Sequence, residues 1–454
     1  MVVVSRAGPC ERGRGTPTRW VRGSVVPVLN RLDLRSVHGP VGPHLPRPTD
    51  AHDAPLETVR EILHLVRTHG DAAVRELTER FDGVTRESLR VSEEEIAQAC
   101  DATPLDVIDA LRIAADRIRG FHEAQLHPET IYDDLGHIRS FARPVDRVGC
   151  YVPGGRAAYP STVLMTAIPA LVAGVGEVAV CVPPSRESNG ISEVTLAACA
   201  IAGVTEVYAM GGAQAIGAFA YGTESVPAVD VICGPGNSYV ALAKREVAGA
   251  VGIASSYAGP SEIIVVADDS VPTTFAAIDV LVQAEHGPDG LAWLITWDES
   301  VLNEVCEEVE RLTSASPRRE LIESTLRRSG HAVLCRDAEQ AIEVANQIAP
   351  EHLQLMVADP ESLVPLVRNA GAIFCGAWSP ASLGDYLAGP SHVLPTDGTA
   401  RFGSALTVSD FQKHHHVITF DEAAFRELAP ALETIAGAEG LQAHADSARL
   451  RRES

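Results

Sequence analysis

The apolar positions first fall into helical register near residue 55. Pro55 suits the first turn of a helix, and Val59, Ile62, Leu63 and Val66 follow at three- and four-residue steps until Gly70. A second helix is predicted over residues 72–81 and stops at Asp82-Gly83. Ser92, with Glu95 three positions on, predicts a capping box that opens a third. A longer helix over about residues 104–125 gathers Val107, Leu111, Ala114, Ala115 and Ile118 on one face.

The centre of the chain changes period. Ala173-Gly174-Val175-Gly176-Glu177-Val178 returns 29 residues later as Ala202-Gly203-Val204-Thr205-Glu206-Val207. Each copy follows an apolar helix and leads into an apolar run, which predicts strands at 178–182 and 207–210. A third strand, 229–233, follows another helix. Helix–Gly–strand units at this spacing build a parallel sheet with right-handed crossovers. A run as apolar as Val178-Ala179-Val180-Cys181-Val182 is expected where helices cover both faces. Beyond Gly259-Pro260 the pattern repeats, with strands at 263–267, 292–296, 331–335 and 372–375 and helices at 273–285 and 299–314. The last stretch reads as helices with an Arg-rich end. The expected fold class is α/β: two Rossmann-like parallel-sheet domains plus small helical terminal segments.

Composition narrows the partners. The 454 residues leave room for two to four domains at roughly 100–200 residues each. Lys and Arg total 37 against 60 Asp and Glu, a net charge of −23. A surface that acidic repels phosphate backbones and anionic headgroups, so neither nucleic acid nor membrane is expected as a partner. Residues 163–175, the longest apolar stretch, fall short of the roughly 20 needed to span a bilayer and are broken by Pro169 and Gly174. Nine cysteines without a CxxC pair read as reduced thiols of a cytoplasmic protein, and leave any metal to His, carboxylate or amide ligands. Residues 1–48 carry eight Arg against Glu11 and Asp33 with no periodicity, and are expected to be a disordered extension.

Several segments could carry chemistry. Gly174-x-Gly176-x-x-Ala179 imitates a dinucleotide fingerprint but precedes a strand instead of following one. Gly211-Gly212-Ala213-Gln214 and Gly234-Pro235-Gly236-Asn237 do follow predicted strands and open helices. Both belong at the carboxyl edge of a parallel sheet, where they either present N–H groups to a phosphate or ribose or simply turn the chain. Gln283 and His286 stand three apart at a helix end and share a face, as two ligands of one ion must; a capping His is the plainer alternative. Glu351-His352 places an acid beside an imidazole just after a helix, one able to activate water and the other to move a substrate proton, or else a solvated pair. Asp385 and His392 lie in a Gly/Pro-rich loop, and His444 is an isolated polar candidate. His414-His415-His416 cannot all face one ion on a regular element, so the tract is expected at a surface or a strand edge.

Taken together, these segments resemble the histidinol dehydrogenase family over about residues 50–450. The resemblance rests on Tyr151-Val152-Pro153-Gly154-Gly155, Gly211-Gly212-Ala213-Gln214-Ala215-Ile216, Gly234-Pro235-Gly236-Asn237, Ala258-Gly259-Pro260-Ser261-Glu262, Gln283-Ala284-Glu285-His286-Gly287-Pro288-Asp289, Ala349-Pro350-Glu351-His352, Gly384-Asp385-Tyr386 and His392-Val393-Leu394-Pro395-Thr396. It implies a homodimer with one zinc per subunit that oxidises L-histidinol to L-histidine through the aldehyde, reducing two NAD in the last step of histidine biosynthesis. By carry-over Gln283, His286, Asp385 and His444 hold zinc, and Glu351 and His352 are the acid–base pair. Ser261, His392 and Glu439 join them in contacting substrate, while Tyr151, Gln214 and Asn237 contact NAD. The C-terminal segment reaches the partner's active site, so His444 and Glu439 serve the neighbouring subunit. The chain then divides into the extension 1–48, a discontinuous α/β domain of residues 49–150 and 261–400 with the substrate and zinc site, an inserted NAD-binding α/β domain of residues 151–260, and a dimerisation segment of residues 401–454.

Some positions depart from the family pattern. Ser255 stands where an Asp is usual, Ala381 where a Glu is common, Arg139-Ser140-Phe141 replaces Leu-Gly-Gln, and the His tract replaces a Lys-Arg run. These departures leave open an alternative substrate, a different polar (amino) alcohol.

Overall fold

The structure, a computed structural model, describes residues 28–46, 56–154, 158–187, 190–255, 259, 261–285 and 290–453. Its frame is two parallel sheets. One holds Arg147–Tyr151, Glu177–Val182, Glu206–Ala209, Val231–Cys233 and Gly252–Ile253; counted along the chain, they lie in the order 3-2-1-4-5. The other holds Glu262–Ala267, Leu291–Thr296, Gly330–Leu334, His352–Met356 and Ala372–Cys375 in that same order, with Asn30–Asp33 added beside Gly330–Leu334. In each sheet the order reverses between the first and fourth strands, which opens a crevice there.

The apolar runs form these strands because both faces are covered. Ile263, Val265 and Ala267 join one core and Ile264 and Val266 another, the alternation a pleated strand imposes. In the 147–253 sheet, Val178, Val180 and Val182 face one core, and Ala179 and Cys181 face the other. The repeated Ala-Gly-Val motif does what its glycines suggest, because Gly174 and Gly203 adopt φ 93° and 86° between helix and strand.

The early helices also follow the pattern. Leu56–Asp82 is broken at Gly70, whose φ of 53° and ψ of −134° are not helical. Glu93–Ala102 starts on the expected capping box, with Ser92 Oγ accepting from Glu95 N–H at 3.1 Å and the Glu95 carboxylate accepting from Ser92 N–H at 2.9 Å. Their packing corrects the expected grouping of residues 49–150 with 261–400. Val59, Ile62, Leu63 and Val66 share a core with Cys181 and Phe219, while Ile96, Leu111 and Ile118 share one with Val148 and Val180. These helices cover the two faces of the 147–253 sheet.

The expected extension is also corrected where it is described. Its residues 1–27, 47 and 48 lie outside the described residues. Asn30–Asp33 pairs with Gly330–Leu334, and Val28, Leu29, Leu34 and Val41 are buried. Too few apolar positions contribute to show a period in sequence.

Two central strands, Arg147–Tyr151 and His352–Met356, were not expected from the pattern, since one opens on Arg and the other alternates His and Gln with apolar residues. Thr130–Asp133, His137–Pro144 and Gln412–Thr419 form a three-stranded antiparallel sheet. The His tract lies on its edge strand and is exposed, as expected. The C-terminal helices Glu422–Ala438 and Gln442–Glu453 pack on each other and leave Leu428, Leu432, Ile435 and Leu450 exposed. Among the described residues no helix is long and apolar enough to cross a membrane.

Gly149, in the centre of its strand, lies under Phe219, and a Cβ there would sit 2.6 Å from the ring. Gly149→Ala should therefore cost roughly 1–3 kcal/mol in urea denaturation, much of it recovered when Phe219→Leu is combined with it.

Candidate active site

Gly252–Ile253 ends at the carboxyl edge of its sheet, and after residues 254–261 Glu262 begins the next sheet at its amino edge. The amino edge carries Glu262, Glu351 and His352. His352 is the register partner of Ile263, which sets Glu351 opposite Glu262 at the switch point of that sheet.

Each of these two acids binds the other's backbone. Glu262 N–H donates to Glu351 Oε2 at 3.0 Å, and Glu351 N–H donates to Glu262 Oε2 at 3.2 Å. Glu262 Oε1 also accepts from Asp397 N–H at 3.0 Å. His352 Nδ1 lies 2.9 Å from the Glu262 carbonyl, and its Nε2 lies 3.2 Å from Asp385 Oδ1. A Nδ1–H held by a carbonyl makes Nε2 the reactive nitrogen. The imidazole stacks on Phe374 at 5.9 Å between ring centroids. Ala349, at φ 55°, turns the chain from the helix Ala338–Ile348 into Pro350 and this pair.

Burial sets the charges. Glu262, Glu351 and His352 are 4%, 8% and 2% exposed, so bulk water does little to screen them. Burial pushes the Glu351 carboxyl up against the pull of His352, leaving it at about 7. Glu262 rises to about 8, through burial and then the neighbouring Glu351 charge. Burial pushes His352 down, but the charges of Glu351 and Asp385 outweigh it and raise the imidazole to about 9.

Asp385 was expected in a loop; it lies instead on the short helix Ala381–Tyr386. Gly384 is required there, because a Cβ would meet the Phe374 ring at 2.5 Å. His392 bridges the two halves of the chain, with Nδ1 2.9 Å from the Asp385 carbonyl and Nε2 3.0 Å from Thr162 Oγ1. Thr162 lies in the first turn of the helix Pro160–Val172, which follows the first strand of the 147–253 sheet. Ser261 immediately precedes Glu262.

The helix carrying Gln283 ends at Val282, earlier than expected, so Gln283 is its C-cap and the shared-face argument for Gln283 and His286 passes beyond the last helical turn. His286 lies outside the described residues. Gln283 is 2% exposed, and its Oε1 has no hydrogen-bond partner among the described residues. A buried, unsatisfied amide oxygen on a helix packed against that of Asp385 suits a metal ligand. His444 and Glu439 are not brought to this cluster: both are exposed on the C-terminal helix pair. No group of three His, Cys, Asp or Glu able to hold a metal forms among the described residues.

The carboxyl edge of the 147–253 sheet has the expected loops. The Tyr151 phenol oxygen accepts from Gly212 N–H at 3.2 Å across the strand ends. Gly234 has φ 103°, and a Cβ there would collide with the Tyr151 carbonyl. Gln214 is buried and its Oε1 also lacks a partner among the described residues. Asn237 caps the helix Ser238–Val247, its Oδ1 accepting from Val240 N–H at 3.1 Å. At the departure Ser255, φ is 56° and the carbonyl lies 3.4 Å from the ammonium of buried Lys244, which burial lowers to about 8.

Sequence reasoning assigned no role to Glu262, Thr162 or Phe374. The motif containing Glu262 was visible, but its pairing with Glu351 depends on the strand His352–Met356, whose polar alternation hid it.

The family model described as histidinol dehydrogenase matches residues 45–452. The histidinol dehydrogenase of Dechloromonas aromatica is 48% identical over 411 residues, 89% of this chain and 94% of that protein. That of Moorella thermoacetica is 49% identical over 410 residues, 89% of this chain and 96% of that protein. The crystal structure of histidinol dehydrogenase from Elizabethkingia anophelis superposes with a TM-score of 0.90 at 33% identity, covering 94% of this chain and 99% of that one.

The raised His352 has a signed consequence for the metal-free protein. Its folded value of about 9 exceeds the ordinary 6.5, so its contribution to stability is full below about pH 6.5 and is lost as pH rises through about 9. Asp385→Asn should move the imidazole titration, followed by NMR, to lower pH and bring that loss with it.

Proposed function

The chain belongs to the histidinol dehydrogenase family, and on that footing we propose how its residues divide the work. It is an NAD-dependent dehydrogenase that oxidises L-histidinol to L-histidine in histidine biosynthesis. The observation that carries the residue assignment is the buried Glu351–His352 pair at the amino edge of one sheet, joined through His392 to the helix that follows the first strand of the other.

His352 accepts the substrate's hydroxyl proton at Nε2 as the alcohol carbon is oxidised. Raised to about 9 beside Asp385, the imidazole has to lose its own Nε2 proton and that contact first, and committing Asp385 to a metal would withdraw the charge that holds them there. Glu351 then takes a proton from the water that adds to the aldehyde carbon, and the hydrate is oxidised in the second step to the acid. With a pKa near 7 it can both accept and release that proton near neutrality. Ser261 and His392 of the same chain, with Glu439 of a second copy, hold the substrate.

Gln283, His286 and Asp385 would hold zinc together with His444 from a second copy. When bound, zinc fixes the amino and imidazole nitrogens of the substrate as a template. Tyr151, Gln214 and Asn237 would line the cofactor site; since Asn237 Oδ1 is committed to its helix, its amide N–H groups would meet the cofactor. NAD, when bound there, supplies the hydride acceptor for both oxidations. The working unit is a cytoplasmic homodimer. This is supported by the exposed apolar residues of the C-terminal helix pair, which also carries His444.

Purified protein should form two NADH per L-histidinol, with about one zinc per subunit, and lose activity on chelation until zinc is restored. No turnover from zinc-loaded protein would reject the assignment. His352→Asn should keep its zinc and lose roughly 10²–10⁴ in turnover, and Glu351→Gln should slow aldehyde oxidation more than alcohol oxidation. Mixing inactive His352→Asn with inactive His444→Ala subunits should restore part of the activity, because one mixed site then holds both wild-type residues. An inert mixture that has exchanged subunits would place His444 in its own chain's site.

A further inference from the structure

We infer that Glu262 is a positioning residue for the oxidation, its carboxylate tying the backbone of Glu351 to the loop that carries His392; the inference rests on the role given to Glu351 above. Glu262 is buried, and among the described residues none of its hydrogen bonds comes from a Lys, Arg or His side chain. A buried acid without a cation is costly, and here it is met only by backbone N–H groups.

Those N–H groups belong to segments distant in the chain. One is that of Glu351, at the head of the strand His352–Met356. The other is that of Asp397, which ends the run from His392 through Thr396 and adopts a left-handed φ of 56°. Holding a non-glycine residue in that conformation requires the surroundings to over-determine it, and the bond to Glu262 Oε1 is one such constraint. Glu262 thus sits at a joint between the acid that activates water and the loop that touches substrate.

The exchange with Glu351 runs in both directions. The Glu262 carboxylate fixes the Glu351 backbone, and the Glu262 N–H fixes the Glu351 carboxylate. The His352 ring is held differently, by the Glu262 main-chain carbonyl, which a side-chain substitution leaves in place. Loss of the Glu262 carboxylate therefore falls on Glu351 and the water it activates, and much less on proton removal by His352.

The substitutions follow from the acceptor count. Both Glu262 oxygens receive an N–H, and above the pH of about 8 to which its carboxyl is raised the group offers acceptors only. Glu262→Gln turns an amide NH₂ against one of those donors at nearly constant volume. Glu262→Asp keeps two acceptors but withdraws them by one methylene.

The experiment measures, with zinc-loaded protein, the first NADH formed from L-histidinol in a single turnover and steady-state NADH formation from L-histidinal. Glu262→Gln should lower kcat for the aldehyde by up to about 10²-fold and raise both KM values together through the His392 loop, while the single-turnover rate of the alcohol step stays within about threefold. Combined with Glu351→Gln, it should add nothing to the aldehyde defect of Glu351→Gln alone, since the two act as one unit. Should Glu262→Gln fail to fold, Glu262→Asp is read in the same assay and should show a smaller loss confined to the aldehyde step. Equal loss in both steps, no loss in either, or multiplicative defects in the double variant would overturn the inference. Glu351→Gln alone that oxidises the aldehyde at the wild-type rate would instead overturn the role of Glu351, whatever the Glu262 variants do.

Discussion

Two carboxylates buried side by side repel, and little water is present to screen them. At the start of the strands Glu262–Ala267 and His352–Met356 that repulsion is met mainly by backbone dipoles: Glu351 N–H and Asp397 N–H on Glu262, and Glu262 N–H on Glu351. The imidazole of His352 supplies the nearby positive charge, 3.5 Å from Glu351 Oε2. The rest of the site is organised around keeping this cluster dry and aligned. Phe374 covers the imidazole, Gly384 lets the Asp385 helix approach that ring, and Gly371 gives room beside the Glu351 carbonyl, where a Cβ would come within 2.6 Å. The result is a pair of acids close to neutral pH in their proton affinity, which suits proton transfer and would be of no use to stability.

The two sheets share one strand order and use it in opposite senses. In the 147–253 sheet the switch point carries Tyr151 and the Gly234–Asn237 turn at its carboxyl edge, where doubly wound folds bind ligands. In the 262–375 sheet the switch point carries Glu262, Glu351 and His352 at its amino edge. Gly252–Ile253 leaves one sheet at its carboxyl edge, and Glu262 enters the next at its amino edge. His392 Nε2, 3.0 Å from Thr162 Oγ1, joins the two regions.

Much of this was legible in the sequence. The capping box at Ser92, the break at Gly70, the repeated helix–Gly–strand unit and the exposed edge position of the His tract all follow from local rules. The strand His352–Met356 was not legible, because His352 and Gln354 interrupt its apolar period. They do so because they face polar partners, Gln354 donating to Asp279 at 2.5 Å. The same lapse hid Glu262, whose significance lies in a cross-strand neighbour 89 positions away. The helices of residues 56–123 showed which face is apolar but not which sheet that face would meet, because both sheets offer similar aliphatic surfaces. His444 illustrates the remaining gap, since it is exposed on the C-terminal helix pair and no periodicity or neighbouring motif ties it to the cluster.

The register between Glu262–Ala267 and His352–Met356 has an implication for how this enzyme can change length over evolution. A single-residue insertion or deletion within either strand could leave an aliphatic sheet standing, because its faces are apolar on both sides. It would nevertheless reverse the direction of every side chain beyond it relative to its neighbour, carrying one acid of the pair to the far side. Drift in length is therefore confined to the connections, and the hydrogen-bond ladder of the central strands serves as the ruler by which the two buried acids are spaced.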